Sequence, residues 1–302
     1  MFDITAIGEA LIDLTQTGFS ASGVAEYAAN PGGAPAKLGA STAFIGRVGA
    51  DAFGTQLREC LRANGVDVLR MLTDAQRPTT LAVVSLDSRG ERSFSFYRQH
   101  SADLALSPDD VPDEALRRTH FFHCGGVSLT ANPARDTVLD AARRARNLGA
   151  CVTYDPNYRP ALWGSRADAI KQLARPLPLV DILKVSDEEM ALLTGTDNLQ
   201  DGSAALADAG IPLVLVTLGA KGAFYRFRGE TGIVDGVPCV VADTNGAGDT
   251  FFGAFLSRMR AFTLDNLTIP QLLDMLSYAN RAASWTSRSG AIPAMPTAEE
   301  MR

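Results

Sequence analysis

The residues with the clearest chemical potential lie in a polar, glycine-rich segment near the end of the chain. Residues 243–255 read DTNGAGDTFFGAF, and Asp249 stands where small residues give way to an apolar helical pattern. The run Val237–Val241 predicts a strand that leads into this segment. Because the first N–H groups of a helix lack partners and carry a partial positive charge, they attract anions. The segment predicts an anion hole with a carboxylate beside it, which suits a phosphoryl-transfer enzyme that must orient a hydroxyl.

Bulk composition narrows the class of protein. With 302 residues, 46% of them hydrophobic, the chain can form one large α/β domain, and its net charge of −6 argues against nucleic-acid binding. Four widely spaced cysteines without a CxxC pair indicate reduced core thiols. The first residues lack the basic region of a signal peptide, and no apolar run reaches the ~20 residues of a membrane helix. We therefore expect a cytoplasmic protein.

The elements that must position Asp249 alternate between strand and helix patterns, which predicts a mostly parallel sheet with helices on both faces. The predicted strands are Asp3–Gly8, Ala43–Val48, His120–Cys124, Cys151–Asp155, Ile182–Val185 and Leu213–Thr217. The predicted helices are Gln56–Asn64, Thr137–Leu148 and about Pro270–Ser287. Asn132 and Ser107, each followed by proline, are expected to cap helix starts.

Two segments interrupt this alternation. Thr15–Tyr27 is polar and aperiodic, whereas Thr79–Tyr97 has the pattern of a hairpin with a turn at Ser88-Arg89-Gly90. We predict that residues 14–30 and 79–99 form a small β-sheet lid on a single domain spanning residues 1–302, closing over a substrate. The alternative is that the hairpin is an edge of the main sheet.

Two common nucleotide-binding fingerprints are missing. The first predicted strand is followed by GEALID instead of GxGxxG, which disfavours a Rossmann dinucleotide site. No GxxxxGK[ST] occurs, and Lys221 lacks its spacing. The phosphate site must therefore be built in another way.

Two motifs resemble those of a known family. Gly32-Gly33-Ala34-Pro35-Ala36 and Asp243–Phe251 are similar, in order and separation, to the paired motifs of the PfkB/ribokinase family of sugar kinases. The segments Asp155–Trp163 and Asp181–Met190 most resemble its fructokinase branch. The resemblance implies a ribokinase-like α/β fold with a β-sheet lid. It also implies ATP-dependent phosphorylation of a primary sugar hydroxyl, with conversion of fructose to fructose 6-phosphate as the expected reaction.

The same resemblance implies roles for individual residues. Asp249 is expected to be the catalytic base, with Gly246, Ala247 and Gly248 forming the anion hole. The residues expected to contact the sugar are Asp13, Gly32, Gly33, Lys37, Arg98, Asn157 and Arg159. Those expected at the nucleotide are Lys184, Ser186, Thr217, Gly219, Gly222 and Asn280. Glu189 is expected to hold Mg²⁺ through water, and Asp243 and Asn245 a monovalent cation such as K⁺.

Simpler interpretations exist for several of these residues. Asp249 could merely cap a helix, Asp243 could start a turn, and Asp13 could face solvent. Glu189 belongs to an acidic run that suits a solvated helix start.

Lys37 departs from the family pattern, which has Asn after the Gly-Gly-Ala-Pro-Ala motif. Either Lys37 turns away from the sugar or the substrate carries a negative group, as 2-keto-3-deoxygluconate does. Aminoimidazole riboside is a further alternative substrate. A sugar sensor without turnover is the alternative from another class, and a dehydrogenase is a weaker one. The exposed strand edges of a lid also suggest a homodimer.

Overall fold

The sheet that carries the site runs through most of the chain. The computed structural model describes residues 1–15, 25–29, 33–86, 92–242, 244, 246–289 and 295–302. Three predicted site residues, Gly32, Asp243 and Asn245, lie outside this described part, as does the predicted turn at Ser88-Arg89-Gly90. In chain order the described strands are β1 (Phe2–Ile7), β2 (Ala10–Thr15), β3 (Ala25–Ala29), β4 (Thr42–Gly49), β5 (Val66–Asp74), β6 (Leu81–Leu86), β7 (Arg92–Tyr97), β8 (Thr119–Gly125), β9 (Cys151–Asp155), β10 (Ile182–Ser186), β11 (Leu213–Thr217), β12 (Ala223–Phe227) and β13 (Glu230–Val234).

Nine of these strands form the main sheet, in the order β13-β12-β11-β10-β9-β8-β1-β4-β5. All neighbours from β5 to β11 pair in parallel, whereas β12 and β13 continue the sheet antiparallel. The chain leaves β1 toward β4 and later returns to β8 on its other side. The carboxyl ends of the parallel strands therefore meet at one edge beside a topological switch point, where such sheets bind ligands.

Helices cover both faces of this sheet. In chain order they are α1 (Gly33–Lys37), α2 (Ala52–Ala63), α3 (Asp113–Arg117), α4 (Ala134–Asn147), α5 (Arg166–Leu173), α6 (Asp187–Thr194), α7 (Leu199–Asp208), α8 (Ala247–Met259) and α9 (Ile269–Ser289). Alternate residues of β11 show the two layers: Leu213 and Leu215 pack toward α8 and α9, and Val214 and Val216 toward α4–α7. This alternation follows from the period of two in a strand. The described residues contain no helix long and apolar enough to cross a membrane.

A second sheet of four strands, in the order β3-β2-β6-β7, stands apart from the main one. The hairpin of β6 and β7 is confirmed, and it belongs to this second sheet instead of forming an edge of the main sheet. Its partner β2 begins at Ala10, earlier than the polar segment that suggested it, and pairs in parallel with β6. Asp13 consequently lies within β2 and is only 6% exposed, so the solvent-facing interpretation is wrong.

Three local predictions need correction. Val237–Val241 pairs with no strand among the described residues; Pro238 has no N–H to donate, and Val240 is 88% exposed. Asn132 does not cap α4, because Pro133 precedes the helix and the Asn132 amide donates to Asp136 instead. All four cysteines are free thiols, but only Cys124 is buried. Ser107 does start a short 3₁₀ helix, with a capping box.

Candidate active site

The N-terminus of α8 forms the centre of the candidate site. Gly246 precedes the helix in the left-handed conformation (φ 74°), which glycine adopts without a steric penalty. Ala247 and Gly248 supply the first two helical N–H groups, and Asp249 occupies the third position. The predicted turn, helix start and carboxylate thus occur together. The Ala247 N–H donates to the Thr244 carbonyl at 3.2 Å, whereas the Gly248 N–H has no acceptor among the described residues. No described residue donates a hydrogen bond to the Asp249 carboxylate.

A buried ion pair lies beneath this helix start. Lys184 near the end of β10 donates from Nζ to Asp155 Oδ2 at 2.8 Å, with Asp155 at the end of β9. A β-carbon built on Gly248 would lie only 3.1 Å from Lys184 Nζ, so the absence of a side chain lets the ammonium approach the first turn of α8. The lysine therefore adds positive charge to the anion hole.

These neighbours perturb the acid–base properties of the site. Burial, with the nearby Asp155 carboxylate, raises the pKa of Asp249 from an ordinary value of 3.8 to about 6, while Lys184 and Arg159 oppose this increase. Burial works to lower the pKa of Lys184, but Asp155, Glu189 and Asp249 outweigh it and raise that pKa above its usual value. A carboxylate with a raised pKa beside a buried cation is typical of a catalytic site.

Glu189 holds the loop after β9 against the start of α6. Its Oε2 accepts the Ser186 N–H at 2.8 Å in a capping box, and its Oε1 accepts the Tyr158 N–H at 2.7 Å. Glu189 is buried, so it is not an acid on a solvated helix start. Asn157 lies in the same loop with φ 43° and donates its N–H to Asp155 Oδ1. The loop therefore brings Asn157 and Arg159 to the carboxyl edge of the sheet.

A cavity of about 550 Å³ opens beside the N-terminus of α8. Four of the predicted nucleotide residues line it, namely Thr217, Gly219, Gly222 and Asn280, together with Ala247 and Gly248 of the helix start. Its size is within the range of small-molecule sites. Lys184 and Ser186 are not among its lining residues; Lys184 approaches it from below Gly248, and Ser186 is the N-cap of α6.

The segment after β13 forms one wall of this cavity. Asn280 on α9 holds the wall in place, because its Nδ2 donates to the carbonyls of Val234 and Asp235 at 3.0 Å each. Gly222 (φ 100°) lets the β11–β12 turn touch the segment, since a β-carbon there would lie 2.1 Å from the Val234 carbonyl oxygen. The wall includes Val237, Pro238, Cys239 and Val241, which belong to the run predicted to form a strand.

The two family-like motifs meet in space. Gly33 is the first residue of α1, and α1 packs against α8 where a β-carbon on Gly253 would lie 2.7 Å from Ala34 Cβ. Lys37 at the end of α1 is partly buried. Burial lowers the pKa of Lys37, and the nearby groups that oppose this are Cys60 on α2 and Glu300 close to the C-terminus. Lys37 therefore faces α2 and the C-terminal turn.

Arg98, directly after β7, is buried in an ion pair. Its Nη2 lies 2.6 Å from Asp103 Oδ2, and only 6% of the residue is exposed. Asp13 on β2 has Ala82 of β6 as its parallel neighbour. The second sheet and the residue that follows it thus bury two charged side chains, and Arg98 is paired with Asp103.

Several residues of the site were missed by sequence reasoning. Asp155 is in a segment that drew attention, yet nothing local to it predicts a bond to Lys184. Glu9 is buried, and its charge also affects Asp249. No sequence pattern pointed to Asp103 as a residue of the site. The remaining lining residues resemble ordinary core or loop residues in sequence; they are the apolar Val237, Pro238, Cys239, Val241, Phe251 and Ala283 and the polar Ser284 and Ser287.

Comparison with known proteins identifies the family. A sequence model of the pfkB family carbohydrate kinases matches residues 1–298. The chain is 39% identical to probable fructokinase-4 of Arabidopsis thaliana, over 99% of this chain and 95% of that protein. It is also similar to a fructokinase double mutant from Vibrio cholerae O395, solved with fructose, ADP and a potassium ion (TM-score 0.90, 33% identity, 99% and 96% of the two chains).

A further solved structure is aminoimidazole riboside kinase from Salmonella enterica, complexed with aminoimidazole riboside and an ATP analog. It matches with a TM-score of 0.86 at 30% identity, over 99% of this chain and 98% of that one. The ribokinase-like fold expected from the sequence is confirmed by these likenesses. With its full-length match and its relatives at this level of identity, the chain belongs to the pfkB family of carbohydrate kinases.

Proposed function

We propose that this carbohydrate kinase is a fructokinase, which transfers the terminal phosphoryl group of ATP to a primary hydroxyl of fructose and releases fructose 6-phosphate and ADP. The observation that carries the proposal is Asp249, a carboxylate of raised pKa at the N-terminus of α8, beside the cavity. Two of the relatives described above are a probable fructokinase and a fructokinase, which supports the same substrate.

Asp249 would act as the general base. With a pKa of about 6 it is ionised at neutral pH, so it can accept a hydrogen bond from the sugar hydroxyl and take its proton as the phosphoryl group arrives. Because the transition state of phosphoryl transfer is loose, holding the hydroxyl in line contributes more than early deprotonation. The simple helix-cap interpretation is disfavoured, since the carboxylate accepts no hydrogen bond within the described part of the chain.

The helix start and Lys184 would stabilise the transferred charge. The Gly248 N–H would face the anion at the positive end of the helix dipole, and the Lys184 ammonium lies just beneath it. The Ala247 N–H donates to the Thr244 carbonyl at 3.2 Å, so Ala247 would contribute through the helix dipole. Thr217, Gly219, Gly222 and Asn280 would surround the rest of the nucleotide in the cavity that they line. Ser186 would contribute by fixing α6, whose N-cap it is.

Glu189 fits a hydrated Mg²⁺ better than a directly bound one. The described residues contain no cluster of three or more acidic, cysteine or histidine side chains able to hold a metal ion. Each Glu189 oxygen already accepts one backbone N–H and keeps a lone pair for a water molecule. When bound with the nucleotide, Mg²⁺ would supply neutralisation of the phosphate charge. Asp243 and Asn245 remain our proposal for a potassium site next to the same helix.

The sugar would bind between α1 and the second sheet. Asp13, Arg98, Asn157 and Arg159 are proposed to contact its hydroxyls, with Gly32 and Gly33 letting it approach the backbone, and the second sheet would act as the lid. Because Cys60 and Glu300 lie near Lys37, we infer that its cation is directed away from the substrate. This favours a neutral sugar over 2-keto-3-deoxygluconate.

Aminoimidazole riboside is the second candidate, supported by the likeness to a kinase solved with that compound. An ADP-release screen over fructose, ribose, 2-keto-3-deoxygluconate and aminoimidazole riboside would test the proposal. We expect fructose to give the highest kcat/KM. A preference for another acceptor would overturn the fructokinase assignment, and binding of a sugar without ADP release would favour the sensor.

We also propose that the second sheet mediates a homodimer. Its outer strands β3 and β7 each pair with one strand only among the described residues, which leaves two open edges. Light scattering should give twice the chain mass. A monomer at working concentration would remove the proposal without affecting the assigned reaction.

A further inference from the structure

The two ends of the β6–β7 hairpin in the second sheet both contact one buried carboxylate, Asp103. Thr80 directly precedes β6 and Arg98 directly follows β7. Asp103 lies in a short 3₁₀ helix, Ala102–Ala105, and is 4% exposed. A single side chain therefore holds both ends of the hairpin.

The contacts of Asp103 restrain both ends of the hairpin. Its Oδ1 accepts the Thr80 hydroxyl at 2.6 Å and the Ser101 hydroxyl at 2.6 Å. Its Oδ2 accepts Arg98 Nε at 2.8 Å. Hydrogen bonds to a buried charged group are among the stronger ones in proteins, so each of these contacts restrains the strand that it touches.

The same network reaches the turn after β8 in the main sheet. Arg98 Nη1 donates to the Val127 carbonyl at 3.0 Å and to Thr130 Oγ1 at 2.5 Å, both in the turn after β8. Glu9, just before β2, accepts the Ser128 hydroxyl of that turn at 2.8 Å. Arg98 and Glu9 thus contact one turn at the carboxyl edge of the main sheet directly, and Thr80 is linked to that turn through Asp103 and Arg98.

One further contact links Thr80 to the proposed sugar site. The Thr80 carbonyl accepts the Ile12 N–H at 3.1 Å, and Ile12 is the neighbour of Asp13 in β2. The chain of contacts runs from Asp103 through the Thr80 hydroxyl to the backbone of β2. The position of Asp13 relative to the main sheet therefore depends on the Asp103–Thr80 hydrogen bond.

We propose that Asp103 is a positioning residue for the sugar: acting through Thr80, it fixes Asp13 and the second sheet relative to Asp249. The proposal rests on the proposed function, since it takes Asp13 as a sugar ligand. Asp103 itself touches neither the cavity lining nor Asp249 among the described contacts. Its influence should be specific to the sugar, because the nucleotide cavity is formed by other elements.

The experiment compares two buried threonines in the kinase reaction. Thr80→Val removes the hydroxyl bound by Asp103 and keeps the side-chain shape. Thr119→Val is the matched control: Thr119 is also buried and pairs with Thr5 Oγ1 at 2.7 Å, but at the amino end of β8, opposite the site. Thr80→Ser restores a hydroxyl. For each variant we would measure kcat, both KM values and fructose binding by calorimetry.

We expect Thr80→Val to raise the fructose KM and the fructose dissociation constant about tenfold while the ATP KM stays unchanged. Thr80→Ser should recover most of the loss, and Thr119→Val should lower thermal stability without moving either KM. Asp103→Asn should repeat the fructose effect. If Thr80→Val matches Thr119→Val in fructose affinity, the positioning role is wrong. If the wild-type enzyme itself does not phosphorylate fructose, the proposed function fails instead.

Discussion

The proposed nucleotide side and the proposed sugar side of this site differ in the residues that form them. The cavity beside α8 is bounded by backbone turns and by small or apolar side chains such as Gly219, Gly222 and Ala283. The second-sheet side buries charged groups instead: Glu9, Asp13, Arg98 and Asp103 are each no more than 6% exposed. Asp249 lies at the helix start between them.

The difference predicts how the two sides respond to change. A cavity of small residues contributes shape and backbone donors, so a substitution there changes the affinity for one ligand with little effect on folding. A buried charge network is interdependent, because removing one partner leaves another charge unpaired at a cost of about 3–5 kcal/mol. Substitutions on the sugar side should therefore affect stability and sugar affinity together.

The largest effect should come from Asp249, the proposed general base, because both substrates would meet there. Asp249→Asn removes the base while keeping the side-chain size, and we expect kcat to fall about 10²-fold or more. Calorimetry should find the binding of fructose and of ATP nearly unchanged. Asp274→Asn, the same exchange at an exposed position on α9, is the control and should keep wild-type turnover. Wild-type turnover in Asp249→Asn would refute its role.

Lys184→Met tests whether the nucleotide side also depends on buried charge. Removing the ammonium leaves Asp155 unpaired, so we expect the free energy of unfolding to drop by about 3 kcal/mol and kcat to fall as well. Denaturant unfolding and ADP release measure the two effects. The double variant with Asp155→Asn should regain stability but not turnover. Recovery of both would mean that Lys184 is a purely structural cation.

The raised pKa of Asp249 gives a pH-dependent prediction. Because the folded-state pKa is about 6 against an ordinary 3.8, this group favours folding fully below pH 3.8, and that contribution is lost as the pH rises through 6. At pH 7.5, Asp249→Asn should be more stable than the wild type by about 3 kcal/mol, a difference that closes toward pH 4. Wild-type kcat/KM should decline below pH 6. Equal stability at pH 7.5 would contradict the raised pKa.

Ala283→Leu separates the two sides most directly. The larger side chain would occupy the cavity lined by Ala283, so we expect the ATP KM to rise about tenfold while the fructose KM and the melting temperature stay the same. Ser277→Leu on the exposed face of α9 is the matched control. A rise in the fructose KM equal to that for ATP would show that the cavity does not belong to the nucleotide alone.

The smallest effect is expected for Lys37→Met. Because Lys37 faces Cys60 and Glu300, its charge should not reach the sugar, and the fructose KM should change by no more than about twofold. The ratio of activity on fructose to activity on 2-keto-3-deoxygluconate should also stay the same. A large loss of either activity would mean that Lys37 reaches the substrate.

Patterns within single segments predicted much of the fold. Strands β9 and β11 have the predicted bounds, and the hairpin of β6 and β7 followed from its alternation. Val237–Val241 failed because an apolar run of that length also suits an extended segment whose side chains line a cavity. Strand β13 was missed because half-exposed residues such as Thr231 and Gly232 give it little strand pattern.

The sequence alone determined the chemistry of this protein, because the glycine turn, the helix start and Asp249 are neighbours along the chain and local rules govern all three. Only the tertiary structure decided which distant side chains pair with one another. Asp155 reaches Lys184, and Asp103 reaches Thr80, across dozens of residues, and no short-range periodicity encodes such pairs. They form because burial in the fold makes an unpaired charge too costly, and that condition does not exist until the sheets have packed.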